Sequence, residues 1–306
     1  MKNYISPPFL QPGDKIGIVA PASVINYEGL KPGMQLLTEA WGLEIIEGET
    51  LKSSFNQFSA TDEIRTNDLQ KMLDNDAIKA IFAARGGYGC SRIVDGIDFT
   101  KFLTKPKWLI GFSDLTALTS HIFNLGIKSI HGPMVKSMTL EGAETAADSL
   151  RKLLFGEAVE YQVASHPYNR TGVVEAPIVG GNLCLLSHLI GSNSELNTDG
   201  KVLFIEDINE YYYNLDRMLI QLKRAGKFNK LAGLIVGQFT DMKDNADPIF
   251  GKSVNEIIQE HIKDFDFPVC FDFPLGHVPN NLPVMVGADA AFTVTEEKVI
   301  LKFLKN

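Results

Sequence analysis

The first half of the chain alternates short, unbroken apolar runs with longer amphipathic stretches, and this alternation restricts the fold more than any other feature. Residues 15–20, 78–84 and 107–112 are typical of buried strands, whereas 61–73 and 115–124 are typical of helices. Strands that are apolar on both faces and alternate with helices indicate a parallel sheet covered by helices. We therefore predict an N-terminal α/β layer domain built on a parallel sheet.

The second half resumes this pattern after a polar, turn-rich stretch. We predict a linker at residues 158–171, between an N-terminal domain of residues 1–157 and a C-terminal domain of residues 172–306. The final segment, residues 286–303, alternates in the manner of antiparallel strands. The C-terminal domain is therefore expected to be a smaller α/β domain with a mixed sheet.

Composition excludes several classes of protein. Among the 306 residues, Cys90, Cys184 and Cys270 form neither a disulfide framework nor a CxxC motif, and no HExxH motif occurs. We expect no metal and no cofactor. A net charge of −8 without a Lys/Arg cluster argues against a nucleic-acid partner. Because no apolar run approaches ~18 residues and the first residues do not resemble a secretory signal, we expect a cytoplasmic protein without a membrane partner.

Three predicted strands lead directly into polar residues of types that enzymes use. They are followed by Arg85–Gly89 (RGGYG), by Ser113-Asp114 and by Glu206-Asp207. The carboxyl ends of parallel strands line the ligand crevice of an open sheet, so these residues are candidates for one site. A polar residue where a strand reaches the surface explains any single case equally well. Three such cases together favour a functional site.

Ser113 has the sequence context of a nucleophile elbow, because a strand, a glycine and one residue precede it and a helix follows. In that geometry the hydroxyl is exposed and the backbone N–H of Asp114 can face a developing oxyanion. The stretch Gly111–Leu115 (GFSDL) lacks the second glycine of G-x-S-x-G. The alternative is that Ser113 or Asp114 is only the N-cap of the helix.

The glycine loop Arg85–Gly89 has three glycines in four positions and fits neither G-x-G-x-x-G nor the Walker pattern. It can supply a second oxyanion donor, or it can be only a tight turn. A non-catalytic nucleotide-binding α/β module would explain this loop. That alternative leaves Ser113 and Glu206 unexplained.

A serine nucleophile needs a base, and the sequence offers six histidines. His277 lies in a loop rich in glycine and proline, which would hold a base rigidly, but spacing makes His131 nearly as credible. His261 lies in a polar stretch and is interpreted as part of a solvated helix face. Glu206 is the favoured orienting acid, as the first polar residue after its strand, whereas Asp207 is expected to begin the next turn.

Seven stretches, in the family's order from residue 13 to residue 277, resemble the LD-carboxypeptidase (muramoyltetrapeptide carboxypeptidase) family of serine peptidases, which also contains the microcin C self-immunity peptidases. They are Gly13–Ser23 (GDKIGIVAPAS), Ala84–Gly89 (ARGGYG), Ile110–Asp114 (IGFSD), His131–Met134 (HGPM), Gly180–Leu183 (GGNL), Phe204–Asp207 (FIED) and Leu275–His277 (LGH). Each stretch alone is a loose match, but the set covers nearly the whole chain and is specific.

The resemblance implies a Ser-His-Glu triad, with Ser113 as nucleophile, His277 as base and then acid, and Glu206 as the residue that orients the histidine. The resemblance thereby favours His277 over His131 as the base. It also implies that the oxyanion donors are the backbone N–H groups of Asp114 and of the glycine turn, at Gly87. The family's site lies at the junction of the two domains, commonly in a homodimer, and uses no cofactor.

The function implied by the resemblance is hydrolysis of the L,D amide bond to the terminal D-alanine of a murein tetrapeptide, a small peptide substrate, during peptidoglycan recycling in the cytoplasm. The terminal carboxylate needs a binding group, for which Arg85 with Gly86 is our hypothesis. The alternative is that Arg85 only supports the glycine turn. An immunity-type amidase acting on a peptidyl or aminoacyl nucleotide would need an aromatic platform, and Trp41 and Trp108 are both expected in the core.

Overall fold

The computed structural model describes residues 4–304, which form two compact units. The N-terminal unit extends to Ala158 and also contains Pro279–Gly287, whereas the C-terminal unit consists of Val159–Val278 and the residues from Ala288 onward. Part of the segment expected to be a linker is a strand, Glu160–Ala164, which pairs with Lys298–Phe303. Its partner is distant in the chain, so nothing in the local sequence indicated this pairing.

The strands are, in chain order, β1 (Lys15–Val19), β2 (Glu44–Glu47), β3 (Ile78–Ala83), β4 (Trp108–Ile110), β5 (Ser129–His131), β6 (Glu160–Ala164), β7 (Gly172–Asn182), β8 (Val202–Ile208), β9 (Gly233–Thr240), β10 (Val269–Cys270), β11 (Val284–Val286), β12 (Asp289–Val294) and β13 (Lys298–Phe303). The α-helices are α1 (Lys31–Gln35), α2 (Asp62–Asp74), α3 (Cys90–Ile93), α4 (Thr100–Thr104), α5 (Thr116–Asn124), α6 (Glu144–Leu154), α7 (Leu183–His188), α8 (Tyr212–Arg224) and α9 (Val254–Ile262). Short 3₁₀ segments cover Tyr27–Leu30, Glu49–Leu51, Val94–Gly96 and Ser113–Leu115, and a π-helical turn covers Leu36–Ala40. None of the helices within residues 4–304 has the length and hydrophobicity needed to cross a bilayer.

The sheet of the N-terminal unit has the strand order β11-β5-β4-β3-β1-β2. Its five N-terminal strands pair in parallel, which confirms the predicted parallel α/β layer. The edge strand β11 pairs antiparallel with β5 and was not predicted. Every residue of β4 and all but one residue of β3 are buried, as the unbroken apolar runs indicated. The carboxyl ends of β3 and β4 carry the glycine loop and Ser113.

The sheet of the C-terminal unit has the order β10-β9-β8-β7-β12-β13-β6. Strands β7 to β10 pair in parallel, and β7, β12, β13 and β6 pair antiparallel, so the predicted mixed sheet is confirmed. Along β12, buried residues alternate with partly exposed ones, which is the pattern that indicated antiparallel strands. Strand β8, which lies between β9 and β7, carries Glu206.

Candidate active site

Ser113 is the first residue of the 3₁₀ segment Ser113–Leu115, which follows β4 and precedes α5, and its backbone φ is +64°. A non-glycine residue in the left-handed region is uncommon and costs conformational energy, and such residues concentrate at functional sites. A strained strand-to-helix turn is also the geometry of a nucleophile elbow. The alternative that Ser113 or Asp114 caps the helix is wrong, because the N-cap positions are Phe112 and Leu115.

The glycine loop lies directly against this turn. A Cβ atom added to Gly86 would lie 2.9 Å from the Ser113 Cβ and 3.1 Å from its Oγ, so only glycine fits here without displacing the serine. Gly87 has φ +117°, and a Cβ added there would lie 2.1 Å from the Ser23 Oγ. The same hydroxyl oxygen accepts a 3.1 Å hydrogen bond from the backbone N–H of Tyr88. Ser23 was not recognised as a supporting residue from the sequence.

The side chain of Asp114 points away from solvent and is only 1% exposed. Its Oδ2 accepts a 2.7 Å hydrogen bond from the backbone N–H of Cys90, the first residue of α3. Burial raises the pKa of Asp114, and the hydrogen bonds from Cys90 oppose that shift. The carboxylate therefore connects the end of the glycine loop to the turn that carries Ser113, a link that sequence spacing did not reveal.

Arg85 is half-buried at the start of the glycine loop. Its Nη1 donates a 3.0 Å hydrogen bond to the backbone carbonyl of Val24. This contact supports the loop, as the alternative interpretation of Arg85 requires. Because a guanidinium carries five N–H donors, one bond to a carbonyl is also compatible with carboxylate binding.

In the C-terminal unit, Glu206 and His277 form a close pair, with 2.7 Å between Oε2 and Nδ1. Glu206 is fully buried, and the side chain of His277 is 16% exposed. Burial lowers the pKa of His277, but the hydrogen bond and charge of Glu206, together with the charge of Asp207, outweigh it, so that the pKa is raised overall. The pair is thus arranged to stabilise an imidazolium ion.

Two expectations about this strand are wrong. Glu206 does not follow the strand and Asp207 does not begin a turn, because β8 continues to Ile208. The pairing of β8 with β9 shifts register here: Ile205 pairs with Val236 and Asp207 pairs with Phe239, so the extra residue lies in β9. The pairing of β8 with β7 stays regular as far as Glu206. Both carboxylates are buried.

The loop that carries His277 is fixed to β9. The backbone N–H of Gln238 donates to the carbonyl of Leu275 over 2.8 Å, and Nε2 of Gln238 donates to the carbonyl of Asp272 over 2.9 Å. Gly276 has φ +117°, and a Cβ added there would lie 2.9 Å from Glu206. Rigidity was expected from the prolines, but the hydrogen bonds of Gln238 supply a restraint that the sequence did not indicate.

The other candidate histidines lie elsewhere. His131 is 1% exposed and lies on β5, opposite Val284 of β11. The interpretation of His261 as a solvated residue is wrong, because its side chain is largely buried and its Nε2 lies 2.7 Å from Oδ1 of Asp216. The polar residues around His261 concealed a partner that lies 45 positions earlier in the sequence.

Thiol chemistry is disfavoured by the surroundings of the cysteines. Cys90, Cys184 and Cys270 are free, and burial is the main cause of the raised pKa of each. The pKa of Cys184 reaches about 12. A neutral thiol is a weak nucleophile. Within residues 4–304, no group of three or more His, Cys, Asp or Glu side chains is arranged to hold a metal ion.

Comparison with known proteins places this chain in a family. Residues 16–132 match the model of the LD-carboxypeptidase N-terminal domain, and residues 175–292 match that of the LD-carboxypeptidase C-terminal domain. A probable murein peptide carboxypeptidase of Bacillus subtilis is 35% identical over 308 residues, which cover 98% of this chain and 95% of the relative. A murein tetrapeptide carboxypeptidase of Pseudomonas aeruginosa is 31% identical over 89% of this chain and 91% of its own length.

Solved structures agree with this assignment. A muramoyltetrapeptide carboxypeptidase from Oxalobacter formigenes superposes with a TM-score of 0.86 at 26% identity, covering 95% of this chain and 99% of that one. The microcin immunity protein MccF, in complex with glutamyl sulfamoyl guanosine, gives a TM-score of 0.86 at 21% identity over 99% of both chains, a likeness of fold alone. The chain therefore belongs to the LD-carboxypeptidase family.

Proposed function

We propose that the protein is a serine-type LD-carboxypeptidase that releases the terminal D-alanine of a murein tetrapeptide by cleaving its L,D amide bond. The observation that carries the proposal is the buried Glu206–His277 pair, with 2.7 Å between carboxylate and imidazole, on a chain whose relatives are named murein peptide carboxypeptidases. Such a pair is what a serine hydroxyl needs in order to act as a nucleophile.

In the proposed mechanism, the Ser113 oxygen attacks the amide carbonyl while Nε2 of His277 accepts the hydroxyl proton. We assign the proton transfer to Nε2 because Nδ1 is bonded to Glu206. Glu206 stabilises the imidazolium, which then protonates the leaving amine of D-alanine. Water attacks the resulting acyl-enzyme with His277 again acting as base. We propose the backbone N–H groups of Asp114 and Gly87 as the donors to the tetrahedral oxyanion.

Carboxypeptidase action requires recognition of the terminal carboxylate. We propose that Arg85 fills this role together with the backbone of Gly86, whose closeness to Ser113 would bring the carboxylate near the reacting bond. The proposed triad takes its serine from the N-terminal unit and its histidine and glutamate from the C-terminal unit. We further propose, from the family resemblance, that the enzyme is a cytoplasmic homodimer acting on recycled wall fragments.

The test is mass detection of D-alanine release from a murein tetrapeptide by the unmodified protein and by Ser113→Ala. A tetrapeptide ending in L-alanine and a tetrapeptide amide serve as matched controls. We expect release from the natural substrate alone and no release by the variant. No release by the unmodified protein, or equal release by Ser113→Ala, would contradict the proposal. No release by the unmodified protein would return the non-catalytic binding module to consideration.

The immunity-type amidase is tested in the same experiment by offering an aminoacyl sulfamoyl nucleoside. Trp41 and Trp108 are 5% and 0% exposed, so neither provides a platform for a nucleobase. We expect no cleavage of the nucleoside under conditions that release D-alanine. Preferential cleavage of the nucleoside would reverse the assignment.

A further inference from the structure

Asp207, the residue after Glu206 in β8, has a carboxylate that is buried and bonded only to N–H donors. Its Oδ1 accepts from Nδ2 of Asn182 and from the backbone N–H of Ile208, both over 2.8 Å. Its Oδ2 accepts from the backbone N–H of Cys184 over 2.9 Å. An ionised carboxylate only accepts hydrogen bonds, so these three partners match the charged form.

These bonds connect the end of β8 to two neighbouring elements. Asn182 ends β7, lies opposite Glu206 in the parallel pairing, and caps α7 by accepting from the backbone N–H of Leu185. Cys184 lies in the first turn of α7. The extra residue of β9 lies opposite Glu206, so the strand pairing is irregular on that side of β8. The orientation of Glu206 therefore depends on how β8 is held on its other side, by β7 and α7.

The charged groups around Asp207 are mainly acidic. Burial and the charge of Glu206 raise the pKa of Asp207 to about 7, Glu210 adds to the shift, and the N–H donors of Ile208 and Asn182 oppose it. The Cys184 thiol, whose pKa is about 12, stays neutral. His277 carries the opposite charge when protonated: burial lowers its pKa, and the charge of Asp207 adds to that of Glu206 in raising it.

We propose that Asp207 is a positioning residue for the Glu206–His277 pair: its carboxylate anchors the strand that carries Glu206 to β7 and α7, and it adds a second negative charge to that of Glu206. The contacts stand on the structure alone, whereas the catalytic consequence rests on the proposed function. Asp207 does not touch the reacting atoms in this scheme and acts through Glu206 and His277.

A second buried aspartate makes the same kind of contact in the N-terminal unit. Asp114 follows Ser113, is 1% exposed, and accepts from the backbone N–H of Cys90 at the start of α3, after the glycine loop. Asp207 follows Glu206 and accepts from the backbone N–H of Cys184 after the pair Gly180-Gly181. In both units, a proposed catalytic residue is thus followed by a carboxylate that anchors its strand end to a neighbouring helix.

The test is an NMR titration of the His277 imidazole in the full chain, with His277→Gln used to assign its signal among the six histidines. Asp207→Asn removes the second negative charge, so we expect a lower pKa for His277 than in the unmodified protein. Asp199→Asn is the matched control, because Asp199 is half-exposed and paired with Lys230 over 3.1 Å. An unchanged pKa in folded Asp207→Asn would overturn the proposal.

If Asp207→Asn does not fold, Asn182→Ser is the second variant. Serine can still cap α7 but lacks the amide donor to Asp207, so a larger fraction of Asp207 is protonated and the pKa of His277 again falls, by less. No change in Asn182→Ser would likewise overturn the proposal. These titrations do not depend on turnover, so their outcome is separate from that of the proposed function.

Activity adds the catalytic readout. For Asp207→Asn we expect kcat to fall roughly ten- to a hundred-fold and the acidic limb of kcat/KM to move to lower pH. A merely structural role would lower kcat without moving the limb, and that result would contradict the proposal. Ser113→Ala is assayed alongside: if it still released D-alanine, the proposed function would fail while the titration result would stand.

Discussion

Replacing Gly86 with alanine would place a methyl group against the proposed nucleophile. The added Cβ would lie 2.9 Å from the Ser113 Cβ, and that separation must grow by at least about 0.5 Å to reach the shortest ordinary contact of 3.4 Å. Gly86 is not among the residues with positive φ, so its backbone accepts alanine without strain. The cost of the substitution therefore falls on the contact with Ser113.

Overpacking of this kind costs about 1–3 kcal/mol. If that energy is spent on displacing Ser113 from its reactive position, the rate falls by about 5- to 160-fold, since about 1.4 kcal/mol corresponds to a factor of ten. A displacement of about 1 Å is by itself compatible with a hundred-fold loss. We therefore expect Gly86→Ala to reduce kcat/KM by one to two orders of magnitude.

The assay compares D-alanine release, the rate of labelling of Ser113 by a fluorophosphonate, and the midpoint of thermal unfolding. Gly96→Ala is the matched control, because a Cβ there would lie 3.7 Å from its nearest neighbour, Thr66 Cγ2. The control should keep the activity and labelling rate of the unmodified protein. If Gly86→Ala were folded and labelled at the unmodified rate, the inferred contact between the glycine loop and the nucleophile would be refuted.

Two further substitutions test the proposed site. Glu206→Gln keeps the shape of the side chain but removes the charge that helps to raise the pKa of His277. We therefore expect kcat to fall about 10³- to 10⁴-fold and the acidic limb of kcat/KM to move to lower pH. An unchanged pH profile would contradict the proposed role of the Glu206–His277 pair. Arg85→Ala should raise KM for the tetrapeptide about ten-fold or more, with little effect on kcat. If KM were unchanged while amidation of the substrate still abolished turnover, Arg85 would not bind the carboxylate and would only support the glycine loop through its bond to Val24.

Local periodicity was sufficient to predict most elements of the fold. The apolar run at 78–84 became β3, Ile78–Ala83, and the amphipathic stretch at 61–73 became α2, Asp62–Asp74, with Thr61 as its N-cap. The pairings of β11 with β5 and of β6 with β13 were not predicted. Their partners are separated by more than a hundred residues, and such pairings leave no pattern in either segment alone.

The candidate site shows the same division between local and distant signals. The sequence around Ser113 predicted a strand-to-helix turn, because a glycine between a buried strand and a helix is itself a local signal. The buried orientation of Asp207 was not predictable, since it depends on donors from β7 and α7. The pairing of His277 with Glu206 was favoured only by family resemblance, because the two residues lie 71 positions apart.

The most direct test of the central claim is D-alanine release by Ser113→Ala, His277→Ala and the double variant under identical conditions. Residues that act as one catalytic unit are strongly non-additive. We predict that each single variant loses about 10⁴-fold or more in kcat and that the double variant loses no more than the worse of the two. Losses that multiply in the double variant, or D-alanine release by Ser113→Ala at the unmodified rate, would contradict a shared Ser-His-Glu mechanism.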